Sequence, residues 1–544
     1  IGYYKNKYQI TNPTYVSSDS DSIKKIFSTY SLSEGLTEKK YRNIINEVLK
    51  KIPDLNEWLS EEILKKFDYI SWKKSILDLH NPKNIKKKGK FLNRLIFDEI
   101  LSHFLINSKI RRTIKKVKKI NKKFNNKELD KIKDKFGFEL TNDQKNAIEQ
   151  INNDLKSNHK MFRLLQGDVG SGKTIVALIA SANVISSGFQ VSFMAPTEIL
   201  AKQHYTLTKK LFDNNINIKI LTSKTENKER KNILTNLNNN KINILIGTHS
   251  LFQEKIKYRN LGLVIIDEQH KFGVKQRKKL SDKGGKNCDV LVMSATPIPR
   301  TLIMTIFGDM DTSIIKNKPK NRIEIKTYSK PVSKTEEVIN FVKKQISQKN
   351  QVFWVCPLIE ESKKLDHQSS VKRYEYLQKT FKNKVGLLHG ALDKEKKNNI
   401  LLSFLNKKID ILVSTTVIEV GIDFPSANVI IIENANKFGL SQLHQLRGRV
   451  GRGNKESYCV LMFKSNLSQN AKKRINILKK TTDGFKISEE DMKLRGYGDL
   501  LGFKQSGLQT FRLADPVLNE NLFLLAEKEV KKIEIENQDL DKYM

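Results

Sequence analysis

The apolar residues of this 544-residue chain fall into two repeating blocks. Between about 130 and 320, short apolar runs recur in FRLLQG (162–167), VSFMAP (191–196), INILIGT (242–248), LGLVIIDE (261–268) and DVLVMSAT (289–296). Helical spacing fills the gaps between them. The pattern returns between about 325 and 465 in NQVFWVCPLI (350–359), KVGLLHG (384–390), IDILVSTT (409–416) and ANVIIIEN (427–434). Runs that are apolar at consecutive positions belong to strands covered on both faces, and the intervening helices supply that cover. The chain is therefore predicted to be α/β, with two consecutive doubly wound parallel sheets and a cleft between them.

The flanks read differently. KNKYQITNPTYV (5–16) alternates like one strand and stops at the turn signal Asn12-Pro13. LTEKKYRNIINEVLKKI (36–52) and FLNRLIFDEILSHFLI (91–106) place apolar residues three and four apart, as helices do. KNIKKKGK (83–90) between them is a basic connector. Residues 466–544 are helical and charged around a glycine-rich stretch, KISEEDMKLRGYGDLLGFKQSG (486–507).

Charge narrows the partner. Ninety-nine Lys and Arg against 59 Asp and Glu leave +40, which points to a polyanion such as nucleic acid. Lys, Asn and Ile are abundant even in loops, as AT-biased coding produces, so clustering says more than the total. Cys288, Cys356 and Cys459 are far apart and form no CxxC pair, which excludes a disulfide framework or zinc site and fits a reducing cytoplasm. No apolar run reaches the roughly 18 residues of a membrane span. The first residue is Ile1, and the chain is expected to start inside a longer protein.

Three motifs carry chemistry. GDVGSGKT (167–174) follows a strand and opens a helix, as a phosphate loop does. Its glycines (Gly167, Gly170, Gly172), with Asp168 and Ser171, let backbone N–H groups turn toward phosphate. Lys173 would reach the β- and γ-phosphates of ATP, and Thr174 would hold Mg2+. LVIIDEQH (263–270) ends an apolar strand on two carboxylates: Asp267 to hold the metal and Glu268 to orient and deprotonate water. QLHQLRGRVGRG (442–453) lies in the second block, and its three arginines repel one another unless an anion sits opposite. Arg449 and Arg452 are candidate arginine fingers with Gln445 beside them, and Arg447 is also a candidate for the nucleic-acid backbone.

In this order on two domains, the motifs resemble the superfamily 2 helicases, which implies two tandem RecA-like motor domains. That resemblance implies adenine recognition by Gln144 in FELTNDQ (138–144), with Phe138 nearby. It implies strand tracking by Thr197 in APTEILAKQH and Thr248 in GTHSLFQE. Ser294 and Thr296 of SATPIPRT, together with His270, would couple nucleotide to strand. In STTVIEVGIDFP (414–425), Thr415 would lie near the strand, and Gly421 and Asp423 near the nucleotide.

RLLQGDVGSGKT, DEQHKFGVKQR, MSATPIPRTL and LHQLRGRVGRG together resemble the RecG family of branched-DNA translocases, over nearly the whole chain. The family implies ATP and Mg2+ as cofactors and stalled forks, Holliday junctions or other branched duplexes as substrates. It also implies work in recombination and repair, a bacterial cytoplasmic, nucleoid-associated location, a monomer, and single-strand DNA-binding protein as a further partner. The expected domains are an OB-type wedge remnant (1–20), a helical linker (21–125), RecA-like domains at 126–322 and 323–465, and a translocation-motif region (466–544). With only the closing strands of the wedge in the sequence, the ATPase site is expected to persist and much of the preference for branched DNA to be lost.

The glycine-rich stretch resembles the family's translocation motif, with Arg495 and Gln505 as coupling residues. Tyr497 and Phe503-Lys504 stand where the motif has Pro and Thr-Arg, which puts a phosphate contact at Lys504 in doubt. Two other functions stay open. Transcription-repair coupling translocases share the motor and bring an RNA-polymerase-binding module ahead of it. A basic DNA-binding scaffold with a vestigial ATPase would need its site residues eroded, yet Lys173, Thr174, Asp267, Glu268, Arg449 and Arg452 are all present.

Overall fold

The computed structural model describes every residue except 1, 5–6, 10–25, 27, 33, 83–86, 125–126, 269–284, 296, 320–322, 358–362, 416–423, 452, 454, 496–510 and 537–544. The chain forms two compact units, one of residues 1–109 with 509–544 and the other of residues 110–508.

In the first unit, β1 (Gly2–Tyr4) and β2 (Lys7–Gln9) pair antiparallel with Gly2 opposite Gln9. The strand predicted within residues 5–16 is β2, and β1, ahead of that stretch, is its partner. The helices follow their capping signals: Thr37 accepts from Lys40 N to start Glu38–Lys50, and Ser71 accepts from Lys74 N to start Trp72–His80. Helix Lys88–Lys116 buries Ile96, Phe97, Ile100 and Leu101, and on that same face a charge, Arg94. Arg94 is tolerated there because Glu57, Asp98 and the Ile70 carbonyl take up its donors at 2.8–3.1 Å. The Glu99 carboxylate accepts from the backbone N–H groups of Arg512, Leu513 and Ala514, tying the carboxyl-terminal segment into this unit.

The second unit holds two all-parallel sheets. The first contains β3 (Phe162–Gly167), β4 (Gln190–Met194), β5 (Ile218–Leu221), β6 (Ile244–Gly247), β7 (Leu261–Ile266), β8 (Asp289–Ser294) and β9 (Asp311–Ile315), in the order β5-β6-β4-β7-β8-β3-β9. The second contains β10 (Lys326–Pro331), β11 (Gln351–Val355), β12 (Val385–Leu388), β13 (Ile411–Ser414), β14 (Ala427–Ile432) and β15 (Tyr458–Phe463), in the order β10-β15-β14-β11-β13-β12. Helices α1 (Asn142–Lys156), α2 (Lys173–Ser186) and α3 (Glu198–Leu211) belong to the first lobe. Helix α2 is buried nearly all round, as its run IVALIASANV requires. In the second lobe Phe353, Phe404 and Phe424 pack with centroids 5.1–5.5 Å apart. There follow α4 (Leu440–Arg447) and a hairpin of α5 (Gln469–Lys480) and α6 (Gly484–Arg495).

A buried ion cluster fastens the chain entering the first lobe to its sheet. Asp289, fully buried at the start of β8, accepts from Lys119 Nζ at 2.7 and 2.8 Å, Lys122 Nζ at 2.6 Å and Met161 N at 2.7 Å. Asp289→Asn is expected to cost about 3–5 kcal/mol, because two buried ammonium groups lose their counter-charge. Urea unfolding measures it. The triple replacement Lys119→Met, Lys122→Met, Asp289→Leu should recover most of the loss, since it removes the charges together.

Candidate nucleotide site and its coupling elements

The candidate residues collect where a parallel sheet gathers function, at the carboxyl ends of its strands. Gly167 ends β3 and Asp168 follows it, Thr197 follows β4, Thr248 follows β6, Asp267 and Glu268 follow β7, and Ser294 ends β8. In the second sheet Thr415 follows β13.

The phosphate loop needs its glycines. Gly170 and Gly172 have φ of 75° and 82°, which side chains disfavour, and a Cβ on Gly172 would run into the Gln144 amide. Gln144 is held on both sides. It forms a capping box with Thr141 at the start of α1, and its Nε2 donates to the Ser171 carbonyl at 2.8 Å. It thus pins the loop. Phe138 lies more than half exposed, edge-on to Phe136. Lys173 Nζ turns back into the loop and donates to the carbonyls of Gly167 (2.7 Å) and Asp168 (2.9 Å). Thr174, half-buried, is the second residue of α2, at the helix end that favours anions. The Asp168 side chain turns to the second lobe, where Oδ1 meets His444 Nε2 at 2.7 Å and Oδ2 pairs with Lys318 at 2.6 Å.

Asp267 is held in place by partners on either side. Oδ1 accepts from Glu268 N and Oδ2 meets His204 Nε2, both at 2.9 Å. His204 stacks on Phe193 with centroids 4.5 Å apart. Glu268 has φ of 51°, a left-handed conformation that costs a non-glycine residue energy and so sets the direction its carboxylate leaves the strand. His204 escapes the sequence reading because it looks like one more polar residue on α3. Only the pairing of β4 with β7 brings that helix over Asp267.

Helix α4 carries the arginine motif and is gripped at both ends by the α5–α6 hairpin. At its start, the buried Asp491 of α6 accepts from Leu440 N and Ser441 N, both at 3.1 Å. An anion is suited to that helix end. At its other end, Arg447 donates to the carbonyls of Leu478 (2.7 Å) and Thr481 (3.0 Å) and to His444 Nδ1 (2.9 Å). Arg474 of α5 ties back to the carbonyls of Phe438 and Asn436. Arg447 therefore needs no anion opposite it, contrary to the expectation for all three arginines: buried carbonyls receive its donors. Arg449 is buried just beyond α4, and Gln445 is half-buried on it.

Thr197 caps α3 by accepting from Leu200 N at 3.3 Å, and Ser294 and Thr415 are buried at their strand ends. Arg495 is the last residue of α6. His270, Thr296, Gly421, Asp423, Arg452 and Gln505 lie outside the described residues. The three cysteines are buried and free, and burial pushes the Cys288 and Cys459 thiols up to about 12, so they stay protonated. Among the described residues no helix is long and apolar enough to cross a membrane.

Comparison with known proteins agrees in order and extent. Residues 141–305 match the DEAD/DEAH box helicase family, 333–454 the helicase conserved C-terminal domain, and 481–542 the carboxyl-terminal part of domain 3 of the ATP-dependent DNA helicase RecG. The chain is 43% identical to the ATP-dependent DNA helicase RecG of Thermotoga maritima over 541 residues, covering 99% of this chain and 69% of that protein. It is 42% identical to RecG of Bacillus subtilis, covering 91% of this chain and 73% of that one. The solved structure of RecG bound to a three-way DNA junction superposes with a TM-score of 0.72 at 42% identity, covering 93% of this chain and 67% of the other.

Proposed function

This chain belongs to the RecG family of ATP-dependent DNA helicases, and from that premise we propose that it is an ATP-driven motor on duplex DNA that remodels forks and junctions. The observation that carries the reading is the double grip on α4: Asp491 and Arg447 join the arginine motif of the second lobe to the α5–α6 hairpin at both ends. A helix held at both ends moves with its partner as one body, so movement beside the nucleotide becomes movement of the hairpin.

The loop fits a nucleoside triphosphate: the cradle at Gly167 and Gly172 would be filled by a Cβ, and Lys173 donates inward. On ATP binding Lys173 exchanges the Gly167 and Asp168 carbonyls for phosphate oxygens. Thr174 and Asp267 are the residues that would hold Mg2+, which supplies charge neutralisation on the phosphates when bound. Glu268 orients the attacking water and takes its proton, and Arg449 and Arg452 are the residues that would stabilise the charge developing on the phosphates. Arg495 and Gln505 pass the stroke to DNA. The match to the RecG-specific third domain favours this reading over a transcription-repair coupling translocase.

An ATPase assay with and without DNA, on this chain and on Lys173→Ala, tests it. Junction DNA should raise turnover of the unaltered chain, and Lys173→Ala should lose at least about 10²-fold of it. Strand separation from a three-way junction should require ATP. Turnover in neither protein would favour a scaffold, and equal turnover in both would refute the site.

A further inference from the structure

Four separate segments meet at Asp168. It comes from the phosphate loop, His444 and Arg447 from α4, Lys318 and Glu324 from the connector between the lobes, and Thr481 and Thr482 from the corner of the hairpin. Asp168, His444 and Arg447 are each more than nine-tenths buried, around a small cavity of about 170 Å3. The packing is close enough that a Cβ on Gly484, at the start of α6, would lie 2.8 Å from both the Asp168 carboxyl carbon and His444 Nε2.

The hydrogen bonds fix the protonation state of His444. Arginine has only donors, so His444 Nδ1, 2.9 Å from Arg447 Nη2, must be the acceptor. The proton is then on Nε2, which donates to Asp168 Oδ1 at 2.7 Å. His444 is neutral, and the bonds run in one direction from Arg447 through the imidazole to Asp168. Lys318 closes the junction, pairing with Asp168 Oδ2 at 2.6 Å and donating to the Thr482 carbonyl at 3.1 Å.

We infer that Asp168 and His444 are positioning residues, a directional relay through which the phosphate loop senses the seating of α4 and its hairpin. The inference rests on the proposed motor function and adds to it the link between nucleotide loop and stroke. Asp168 offers the nucleotide only backbone, because its carboxylate is committed across the cleft. When the relay is formed, the loop is held where Lys173 and Glu268 act on one phosphate; when α4 shifts, the loop is released.

The relay tolerates no proton on Nδ1. A second ring proton would point at an Arg447 N–H and break the chain at its middle. The groups facing the imidazole are Asp168, Lys318 and Arg447, with Glu324 beyond Arg447. Burial holds His444 below its ordinary value, against the pull of Asp168. Burial opposes ionisation of Asp168 too, but the bond to His444 and the Lys318 charge outweigh it and hold that carboxyl well below the usual range. The relay is therefore intact at neutral pH and lost as pH falls through the depressed value of His444.

His444→Leu removes both bonds, whereas His444→Gln keeps a donor toward Asp168 and an acceptor toward Arg447 without a titrating ring. His444→Leu should lower DNA-stimulated kcat about ten-fold and move the KM for ATP less than about two-fold, with His444→Gln restoring kcat to within about three-fold. As pH falls below the ordinary histidine value of about 6.5, the unaltered chain should show an acid limb in kcat that His444→Gln lacks. If His444→Leu does not fold, as judged by thermal unfolding, the acid limb alone decides. Undiminished kcat in a folded His444→Leu, or the same acid limb in His444→Gln, overturns the relay. Absence of DNA stimulation in the unaltered chain overturns the motor function itself, which is a separate result.

Discussion

Glu268→Gln should reduce DNA-stimulated ATP turnover about 10³-fold while nucleotide binding stays within a few-fold of the unaltered chain. The two side chains have the same shape, so the change removes only the ability to accept a proton. The backbone makes it specific. Glu268 leaves β7 with φ of 51°, and its N–H donates to the carboxylate of the preceding residue, Asp267, at 2.9 Å. Glutamine keeps that N–H and the same strained turn. Binding of a fluorescent ATP analogue, measured beside steady-state turnover, separates the steps. A fall in affinity as large as the fall in turnover would show that Glu268 holds the nucleotide and is not the base.

The sheets were legible because burial on both faces writes itself as consecutive apolar residues. Each apolar run singled out in the two blocks contains a strand. Four strands were left out: β15, YCVLMF, is an apolar interior strand like those singled out, and the other three are informative. β5 carries Lys219, β9 starts Asp311-Thr312, and β10 reads KTYSKP with every residue at least partly exposed. These are edge strands, where one side meets solvent and polar residues cost little. The phosphate loop and the paired carboxylates were legible for another reason: their chemistry is local, with each motif's residues close neighbours in the chain.

The relay and the grip on α4 were not legible. Asp168 and His444 are 276 positions apart, and Leu440 and Asp491 are 51 apart. His444 and Asp491 are ordinary polar residues within helical stretches, and nothing in their neighbourhoods marks them. Arg447 misleads for a related reason. In sequence it is one of three arginines in a basic run, but in the fold its donors are spent on carbonyls that α5 leaves open at its end.

Arg447→Met should uncouple the motor: strand displacement per ATP consumed falls about ten-fold or more, while DNA-stimulated turnover falls less. Methionine fills similar space and carries no donor, so the Leu478 and Thr481 carbonyls and His444 Nδ1 lose their partner together. Each buried polar group left unpaired costs roughly 1–3 kcal/mol, enough to loosen the corner of the hairpin from α4. Arg447→Lys should not rescue it, because one ammonium on a flexible stem cannot reach three acceptors set out for a planar fork. Asp491→Asn tests the opposite end and should be milder, since an asparagine oxygen still caps one of the two N–H groups. ATP consumed per base pair separated, on a three-way junction, is the measurement. If Arg447→Met slows turnover and strand separation equally, the ratio is unchanged and the hairpin is not driven through this end of α4. If the ratio collapses, the stroke passes from the arginine motif to the hairpin through side chains that never touch nucleotide or DNA.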